Sequence, residues 1–406
     1  MSRAAPLGIA VALAAHLLLF AAAVRAGTVL VPFSDMYDLV ARWLQYRQDG
    51  GLLAYLFDPH NFHRLAYTRA LVALDMGAMH GSEVAYLVVG LIALAAAAGL
   101  LARAAWTGAP PALRLPAAAV AAMLVLSSVN ALDVVFPIDT PYAHAFVFGM
   151  AALAVWDGRW RWAALPLAML AALGNAVALA LWPVLIIAAW RARAGWRTLG
   201  AIAAVGALFI TLYAAGQTSP PRGAFDLQAS LLYGLAWLGL PWSTRLGGPA
   251  IGLVLLAISL LAIASRGGPG SPTLERLAIR LILFSLGAAA MAVLGRSGFE
   301  PEIPVRYALF LTPMHLGLFF LALPWLAKRR SAPVLAALIA ALLAQQAYGV
   351  LKVAGAAAQV CAALADFAAG RDTPMVKVFV HPDPQRARAI LVEMRAQTGR
   401  NTPFAQ

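Results

Sequence analysis

Two carboxylates near the start of the chain have a spacing that can support chemistry. Asp35 and Asp38 are three residues apart, and side chains at that spacing lie on the same side of a helix. Carboxylates held in this way can bind a divalent cation, or one can take a proton from a hydroxyl group. They can equally serve only to stabilise the positive N-terminus of a helix. The pair leaves a chemical and a structural interpretation open.

A histidine cluster follows in the same segment. Asp58, His60 and His63 form an Asp-x-His-x-x-His pattern, and imidazole with carboxylate is a ligand set that suits zinc or manganese. Zinc sites on helices more often place the two histidines four residues apart, and no cysteine lies nearby. The cluster therefore predicts a divalent cation site as one interpretation and a hydrogen-bonded loop as the other. No cofactor is established by the sequence.

Four arginines have positions that suit phosphate binding. Arg64 and Arg69 follow the histidines, whereas Arg296 and Arg306 lie in a later polar segment, with Tyr307 beside the latter. A guanidinium group matches two phosphate oxygens at once, which an ammonium group cannot do. We predict a phosphate-binding group from these residues. For Arg306 and Tyr307, anchoring at a membrane surface is the structural alternative.

Two further carboxylates lie in a turn-rich segment. Asp133 and Asp139 flank the dipeptide Phe136-Pro137, and proline fixes the backbone of such turns. These carboxylates could contact substrate hydroxyl groups or simply face solvent. We place both in a predicted substrate pocket, to which the sequence also assigns Asp38, His60 and His63.

The composition decides which solvent surrounds these groups. Of 406 residues, 62% are hydrophobic and 12% are charged, whereas a soluble domain carries about a quarter of its residues as charges. The polar surface is too small to cover a soluble core. A disordered chain and a nucleic-acid-binding domain are also excluded, although the formal net charge is +13. The single cysteine, Cys361, permits no internal disulfide.

The apolar stretches predict an all-α integral membrane protein. About eleven of them approach the roughly 20 residues that a bilayer-spanning helix needs. They cover residues 7–26, 84–102, 115–132, 143–156, 162–175, 177–190, 198–215, 249–264, 280–295, 306–327 and 332–351. Residues 1–351 would form one polytopic transmembrane domain, and 352–406 a small extracytoplasmic tail.

The distribution of arginine predicts the orientation. With eleven spans and a cytoplasmic N-terminus, the short arginine-rich loops fall on the cytoplasmic side, as membrane proteins require. The C-terminus is then extracytoplasmic. Merging 162–175 and 177–190 into one broken helix would reverse every later loop. The alanine-, arginine- and glycine-rich composition is typical of a bacterial protein, so we expect the inner membrane.

The first extracytoplasmic loop, about residues 27–83, is the longest. Ser34 is a good N-cap for a helix that starts at Asp35, and this helix has one apolar face, so we predict that it lies in the membrane interface. In the tail, the alternation over 375–380 predicts a strand, and 384–397 predicts an amphipathic helix.

The spans and the long first loop resemble the C-type superfamily of polytopic glycosyltransferases, the GT-C fold. Members of that superfamily carry an acidic residue soon after the first span, which here is Asp35 in Phe33-Ser34-Asp35. The stretch from Asp58 to Asp75 is similar to a first-loop segment of bacterial members. Val305-Arg306-Tyr307 is similar to a Ser-Arg-Tyr element of a late loop in the same proteins.

The resemblance is architectural over most of the chain and does not specify a substrate. The span from Asn175 to Trp182-Pro183 is similar to a small-residue and Trp-Pro span of those proteins. The chain departs from the pattern in three ways. It has no adjacent acidic pair in the first loop, no Trp-Trp-Asp signature, and no large soluble domain after the spans.

This resemblance implies an inverting transfer of a sugar from a polyprenyl-phosphate donor. The acceptor would be a lipid, a glycan or a polysaccharide at the extracytoplasmic face, and Asp35 would deprotonate its hydroxyl group. The departing phosphate would be held by Arg64, Arg69, Arg296, Arg306 and Tyr307. The partners would be the lipid-linked sugar, its acceptor and membrane lipids.

Three other functional classes remain open from the sequence. They are a transporter or flippase for a lipid-linked or anionic solute, a non-catalytic assembly subunit, and an acyl- or phosphotransferase that uses His60 and His63. Transporters usually carry ionisable residues at mid-bilayer, whereas the predicted spans contain few polar residues besides His16, Asn175 and His315. The sequence favours the enzyme for that reason.

Overall fold

Helices make up nearly all the regular structure of this protein. The computed structural model describes residues 4–32, 34–60, 63–217, 226–240, 242, 247–266, 272–296, 303–328 and 332–398. Within these ranges, the one β-type pairing is an isolated bridge between His60 and His63. The all-α prediction therefore holds for the described part of the chain.

The α-helices are numbered here in chain order. They are α1 (Ala4–Gly27), α2 (Met36–Asp49), α3 (Leu52–Phe57), α4 (Ala66–Ala78), α5 (Val84–Gly108), α6 (Arg114–Val125), α7 (Ser128–Val135), α8 (Thr140–Val155), α9 (Ala164–Gly174), α10 (Leu181–Arg191), α11 (Trp196–Ala214), α12 (Leu227–Leu238), α13 (Gly247–Ser265), α14 (Thr273–Arg296), α15 (Thr312–Lys328), α16 (Ala332–Ala368), α17 (Pro374–Phe379) and α18 (Pro384–Thr398). Short 3-10 helices cover Pro137–Asp139, Ala176–Ala180 and Val305–Leu311, among others.

Eight described helices are long and apolar enough to cross a membrane, and the pair α6 and α7 makes a ninth if it is one bent span. The chain is thus an α-helical multi-pass membrane protein. The predicted spans at 162–175 and 177–190 correspond to helices of only 10–17 residues. Helices of this length are shorter than a full membrane crossing normally requires.

The predicted span at 115–132 is bent by 45° between α6 and α7. The bend frees backbone carbonyl groups, which must find donors inside the protein because lipid offers none. Asn130 Nδ2 donates to Val125 O at 2.9 Å, and His16 Nε2 bonds Leu126 O at 3.0 Å. The Ser127 side chain caps the first turn of α7. Side chains from two helices therefore stabilise the break.

A second break separates α9 from α10. Asn175 has an extended backbone, and its side chain accepts a hydrogen bond from Val177 N at 3.0 Å. This caps the 3-10 helix Ala176–Ala180, which leads into α10. The break places backbone groups where a continuous helix would present only side chains.

The core is made by helix pairs in close contact. The main pairs are α14 with α15, α5 with α6 and α8, α12 with α13, α8 with α9, and α1 with α16. Small residues permit this approach, as is usual between membrane helices. A Cβ atom added to Gly317 on α15 would lie only 2.5 Å from Ala278 O on α14.

The tail corrects one prediction. Residues 375–380 do not form a strand, because α17 covers Pro374–Phe379. Pro374 occupies the first helical turn, where its missing N–H is not needed, and the Thr373 side chain accepts from Val376 N at 3.4 Å. The capped helix start therefore outweighs the preference for a strand that the alternating β-branched residues would give. The helix α18 agrees with the prediction over 384–397.

The tail lies against the first loop. The helix α16 continues to Ala368, beyond the predicted boundary at 351, and α17 packs on it. The helix α18 packs on α2, and Val380, Leu391 and Met394 are buried. The start of α2 and the C-terminal helices therefore share one end of the molecule.

Candidate functional site

A polar cavity of about 100 Å³ opens at the start of α2. It lies between the first loop, the turn before α8, the break at Asn175 and the 3-10 helix that precedes α15. The side chains that give it its chemistry are Asp35, His60, His63, Asp139, Tyr142 and Arg306. Five of these six were predicted site residues, and we call this space the polar cavity.

Asp35 is the carboxylate at the mouth of the cavity. The helix α2 begins at Met36, so the predicted start at Asp35 and the predicted cap by Ser34 are both wrong. Ser34 has a left-handed backbone with φ of 53°. Asp35 makes no capping hydrogen bond of its own, which leaves its side chain to face the cavity. That side chain is 47% exposed, so a ligand can reach it.

The charge on Asp35 is stabilised by its neighbours. His60 Nε2 lies 3.3 Å from Asp35 Oδ2, and this hydrogen bond lowers the pKa of the carboxyl group. Burial opposes the shift, while the positive charges of Arg306 and His381 add to it. Asp35 is therefore ionised at neutral pH and can accept a proton or a hydrogen bond.

His60 and His63 form a short connection that holds Asp35 in place. Their backbones exchange two hydrogen bonds of 2.9 Å. His63 Nδ1 accepts from Ala176 N at 3.3 Å, so the pair is fixed to the 3-10 helix after the α9 break. The first loop thereby positions Asp35 relative to the membrane helices.

The predicted cation site is not assembled. Asp58 turns to arginines, with its Oδ2 at 3.3 Å from Arg69 and 3.8 Å from Arg42. His60 bonds Asp35 instead. No group of three or more histidine, cysteine, aspartate or glutamate side chains suits a metal ion in the ranges that the structure covers.

The two first-loop arginines lie outside the polar cavity. The Arg69 side chain is 1% exposed, bonds Asp58 and lies 4.9 Å from the centre of the Tyr55 ring. Arg64 donates from Nε to the carbonyl oxygen of Tyr213 at 2.7 Å, and its terminal nitrogens donate to the carbonyls of Phe57 and Ala215. Arg69 therefore links parts of the first loop to one another, and Arg64 links the first loop to the end of α11.

Arg306 is the arginine that lines the cavity. Its Nε is 3.6 Å from Asp139 Oδ1, and its side chain is 34% exposed. Tyr142 and Tyr307 present their rings at 6.0 and 5.9 Å from the guanidinium carbon, a range in which aromatic rings attract a cation. A distance of 3.6 Å is too long for a strong hydrogen bond. The guanidinium therefore keeps donors for a second anion.

Two other predicted site residues, Asp133 and Asp38, lie elsewhere. Asp133 is fully buried in α7 and does not line the cavity. Asp38 faces the tail, where it lies 2.7 Å from Arg386 and 3.7 Å from His381. Arg296 ends α14, and its side chain lies outside the described residues.

An apolar groove of about 220 Å³ adjoins the polar cavity. Its walls come from the 3-10 helix after Asn175 and from the ends of α11 and α14. The main lining side chains are His63, Val177, Ile210, Tyr213, Met291 and Tyr307. His63 lines both spaces, and the neighbouring residues Arg306 and Tyr307 face one each. The two spaces can hold a molecule with an anionic head and a hydrocarbon chain.

The groove was not predicted from the sequence. Ile210 and Met291 are apolar residues of apolar helices, so nothing in their type distinguishes them. Tyr142 and Asn175 were also missing from the predicted site, although a polar residue such as Asn175 inside an apolar stretch is a signal that could have indicated it.

A second polar cavity lies deeper in the helix bundle, beside the α6 to α7 bend. It measures about 30 Å³, and His16, Asn130, His315 and Gln346 are among its lining residues. This volume holds roughly one water molecule. His315 already bonds Trp242 Nε1 and Leu311 O, both at 2.9 Å. A solute has no room there.

No protein-family model, no curated protein and no solved structure matches the chain. The geometry of the polar cavity and the apolar groove carries the functional argument. The main observation is that Asp35 and Arg306 line the same cavity.

Proposed function

We propose that this protein is an inverting glycosyltransferase of the GT-C type. It moves a sugar from a polyprenyl-phosphate donor to a lipid, glycan or polysaccharide acceptor at the extracytoplasmic face of a bacterial inner membrane. The observation that carries the proposal is one cavity lined by a carboxylate, Asp35, and a guanidinium, Arg306, beside an apolar groove. The groove receives the isoprenoid chain, and the cavity receives the phosphate and the sugar.

The chemistry needs one base and one cation. Asp35 takes the proton of the acceptor hydroxyl group while the oxygen attacks the anomeric carbon. The bond from that carbon to the phosphate oxygen breaks, and its electron pair leaves with the polyprenyl phosphate. Arg306 stabilises the negative charge of the departing phosphate. A single displacement inverts the anomeric carbon.

The orientation belongs to the same proposal. The first loop and the tail share the end that holds the polar cavity. The loop after α8 carries Asp157, which pairs with Arg276 at 3.3 Å and Arg280 at 2.8 Å. Arginine-rich loops are retained in the cytoplasm. We therefore assign the end of the molecule that contains the loop after α8 and the start of α14 to the cytoplasm. With the eleven crossings predicted from the sequence, we propose that the N-terminus lies inside and the tail outside.

The test is the release of polyprenyl phosphate by purified protein. Lipid-linked sugars and acceptors extracted from the native membrane are incubated with the protein, and the released lipid phosphate is quantified by mass spectrometry. We expect release by the wild type, and none by Asp35→Asn, which cannot accept the proton. Asp49→Asn is the matched control, because Asp49 is an exposed carboxylate at the other end of α2.

Two outcomes would overturn this function. Equal release by Asp35→Asn and the wild type would remove Asp35 from the reaction. Absence of release, together with uptake of a lipid-linked or anionic solute by proteoliposomes, would establish a transporter.

A further inference from the structure

The C-terminal segment contacts the turn that carries Asp35. Ser34 N donates a hydrogen bond of 2.5 Å to Val380 O. One turn further along α2, Asp38 Oδ1 lies 2.7 Å from a terminal nitrogen of Arg386, and its other oxygen lies 3.7 Å from His381 Nε2. Contacts from the tail thus lie on both sides of Asp35 in the sequence.

The turn gains support from the tail because its local hydrogen bonds, from Tyr37 N to Ser34 O and from Leu39 N to Asp35 O at 3.2 Å each, lie on its C-terminal side. Ser34 adopts φ of 53°, a conformation that costs free energy for any residue except glycine. Asp35 occupies the N-cap position without making a capping hydrogen bond. Backbone strain of this kind persists only where surrounding contacts hold it. The contacts on the N-terminal side of the turn come from Val380.

The tail is itself anchored well enough to provide this support. Val376, Val380 and Met394 are fully buried. The Tyr37 ring meets the His381 ring edge to face with centres 5.9 Å apart. Tyr37 also contacts Phe367 at the end of α16, with centres 6.5 Å apart. The first turn of α2 is therefore packed between α16 and the segment after α17.

We propose that residues 380–386 are a positioning element for Asp35. Arg386 and His381 hold Asp38, and the Val380 carbonyl holds Ser34, so the Asp35 carboxylate stays at the mouth of the polar cavity. None of these tail residues lines the cavity, and they act through the turn. The consequence for catalysis rests on the function proposed above, whereas the effect on the position of residue 35 does not.

The first experiment measures that position without any reaction. Asp35→Cys is made in a Cys361→Ser background, and its modification by a charged, membrane-impermeant maleimide is timed. Adding Arg386→Ala is expected to raise the modification rate several-fold, because the turn is released. Adding Lys377→Ala is the matched control, since Lys377 is an exposed cation of the same tail. Equal rates with Arg386→Ala and Lys377→Ala would overturn the proposal.

The second experiment measures release of polyprenyl phosphate. Arg386→Ala and Asp38→Asn are each expected to lower kcat by up to about fivefold, the range of a half-exposed ion pair. The donor KM stays unchanged, because Arg306 still binds the phosphate. The exchanged pair Asp38→Arg with Arg386→Asp is expected to recover the rate, which a purely structural loss would not do.

The two experiments separate the possible failures. If the wild type releases no lipid phosphate, the proposed function fails, and the modification rates still decide the positioning role. If release occurs and both single variants keep the wild-type kcat, the positioning role fails and the enzyme stands. Lack of recovery in the exchanged pair would also overturn the role of the ion pair.

Discussion

Replacing Arg306 by alanine should weaken the binding of polyprenyl monophosphate, the lipid that the proposed reaction releases. A hydrogen bond to a charged group contributes about 1.5–3 kcal/mol. The Arg306 side chain is 34% exposed, so water competes with the ligand, and we expect a loss of about 1–2 kcal/mol. This corresponds to a Kd raised by about 5- to 30-fold.

The assay is native mass spectrometry of the purified protein, titrated with polyprenyl monophosphate in detergent. Arg306→Lys should give an intermediate Kd, because lysine keeps the charge but loses the two-pronged geometry. Arg25→Ala is the control, since Arg25 is an exposed arginine in the last turn of α1. A neutral polyprenol should bind the wild type and Arg306→Ala equally.

One structural effect must be separated from the loss of binding. Asp139 has a side chain that is 10% exposed, and removing Arg306 leaves it without this cation. Loss of a cation beside a largely buried carboxylate destabilises a protein. The double variant Arg306→Ala with Asp139→Asn removes the charge, so it should recover Tm but not the affinity. A Kd for Arg306→Ala within about twofold of the wild type, at equal Tm, would refute the phosphate role.

Further predictions concern the base, the groove and the loop. His60→Ala removes the hydrogen bond that lowers the pKa of Asp35, so the acidic limb of the pH–rate profile should move to higher pH; an unmoved limb would contradict that coupling. Ile210→Trp should fill the groove and weaken binding of long polyprenyl phosphates, while a phosphate with a single isoprene unit binds as before. Arg64→Ala should lower Tm and leave the donor KM unchanged, because the hydrogen bonds of the Arg64 side chain go to backbone carbonyls that tether the first loop; an unaltered Tm would contradict that tether. Chelation by EDTA should leave release unchanged, since arginine supplies the positive charge; a strict requirement for added Mg²⁺ or Mn²⁺ would contradict this.

The sequence predicted the membrane helices well because hydrophobicity is a local property. Each of the eight long helices coincides with a predicted apolar stretch. The bend between α6 and α7 was missed because its stability depends on His16 and Gln346, which lie far away in the chain. The strand predicted over 375–380 failed because a helix cap at Thr373 outweighed side-chain propensity.

The candidate site was predictable only in part. Residue type and the family resemblance singled out Asp35 and Arg306, and the fold places both at the polar cavity. Type alone did not show that Arg64 and Arg69 bond other groups, because the partners of Arg64 are backbone carbonyls and the partner of Arg69 is the partly buried carboxylate of Asp58. Asp38 has the same type as Asp35, and only the fold shows that it faces the tail.

The contact between the first loop and the tail has a consequence for biosynthesis. Chains fold from the N-terminus as they are made, and the loop with Asp35 leaves the ribosome long before Val380 and Arg386. Until the last membrane helix has been inserted, the turn at Ser34 lacks the residues that hold it. If the tail positions Asp35 as proposed, a nascent chain stalled at α15 would contain every residue of the polar cavity but would lack the contacts from Val380 and Arg386 that hold its carboxylate in place.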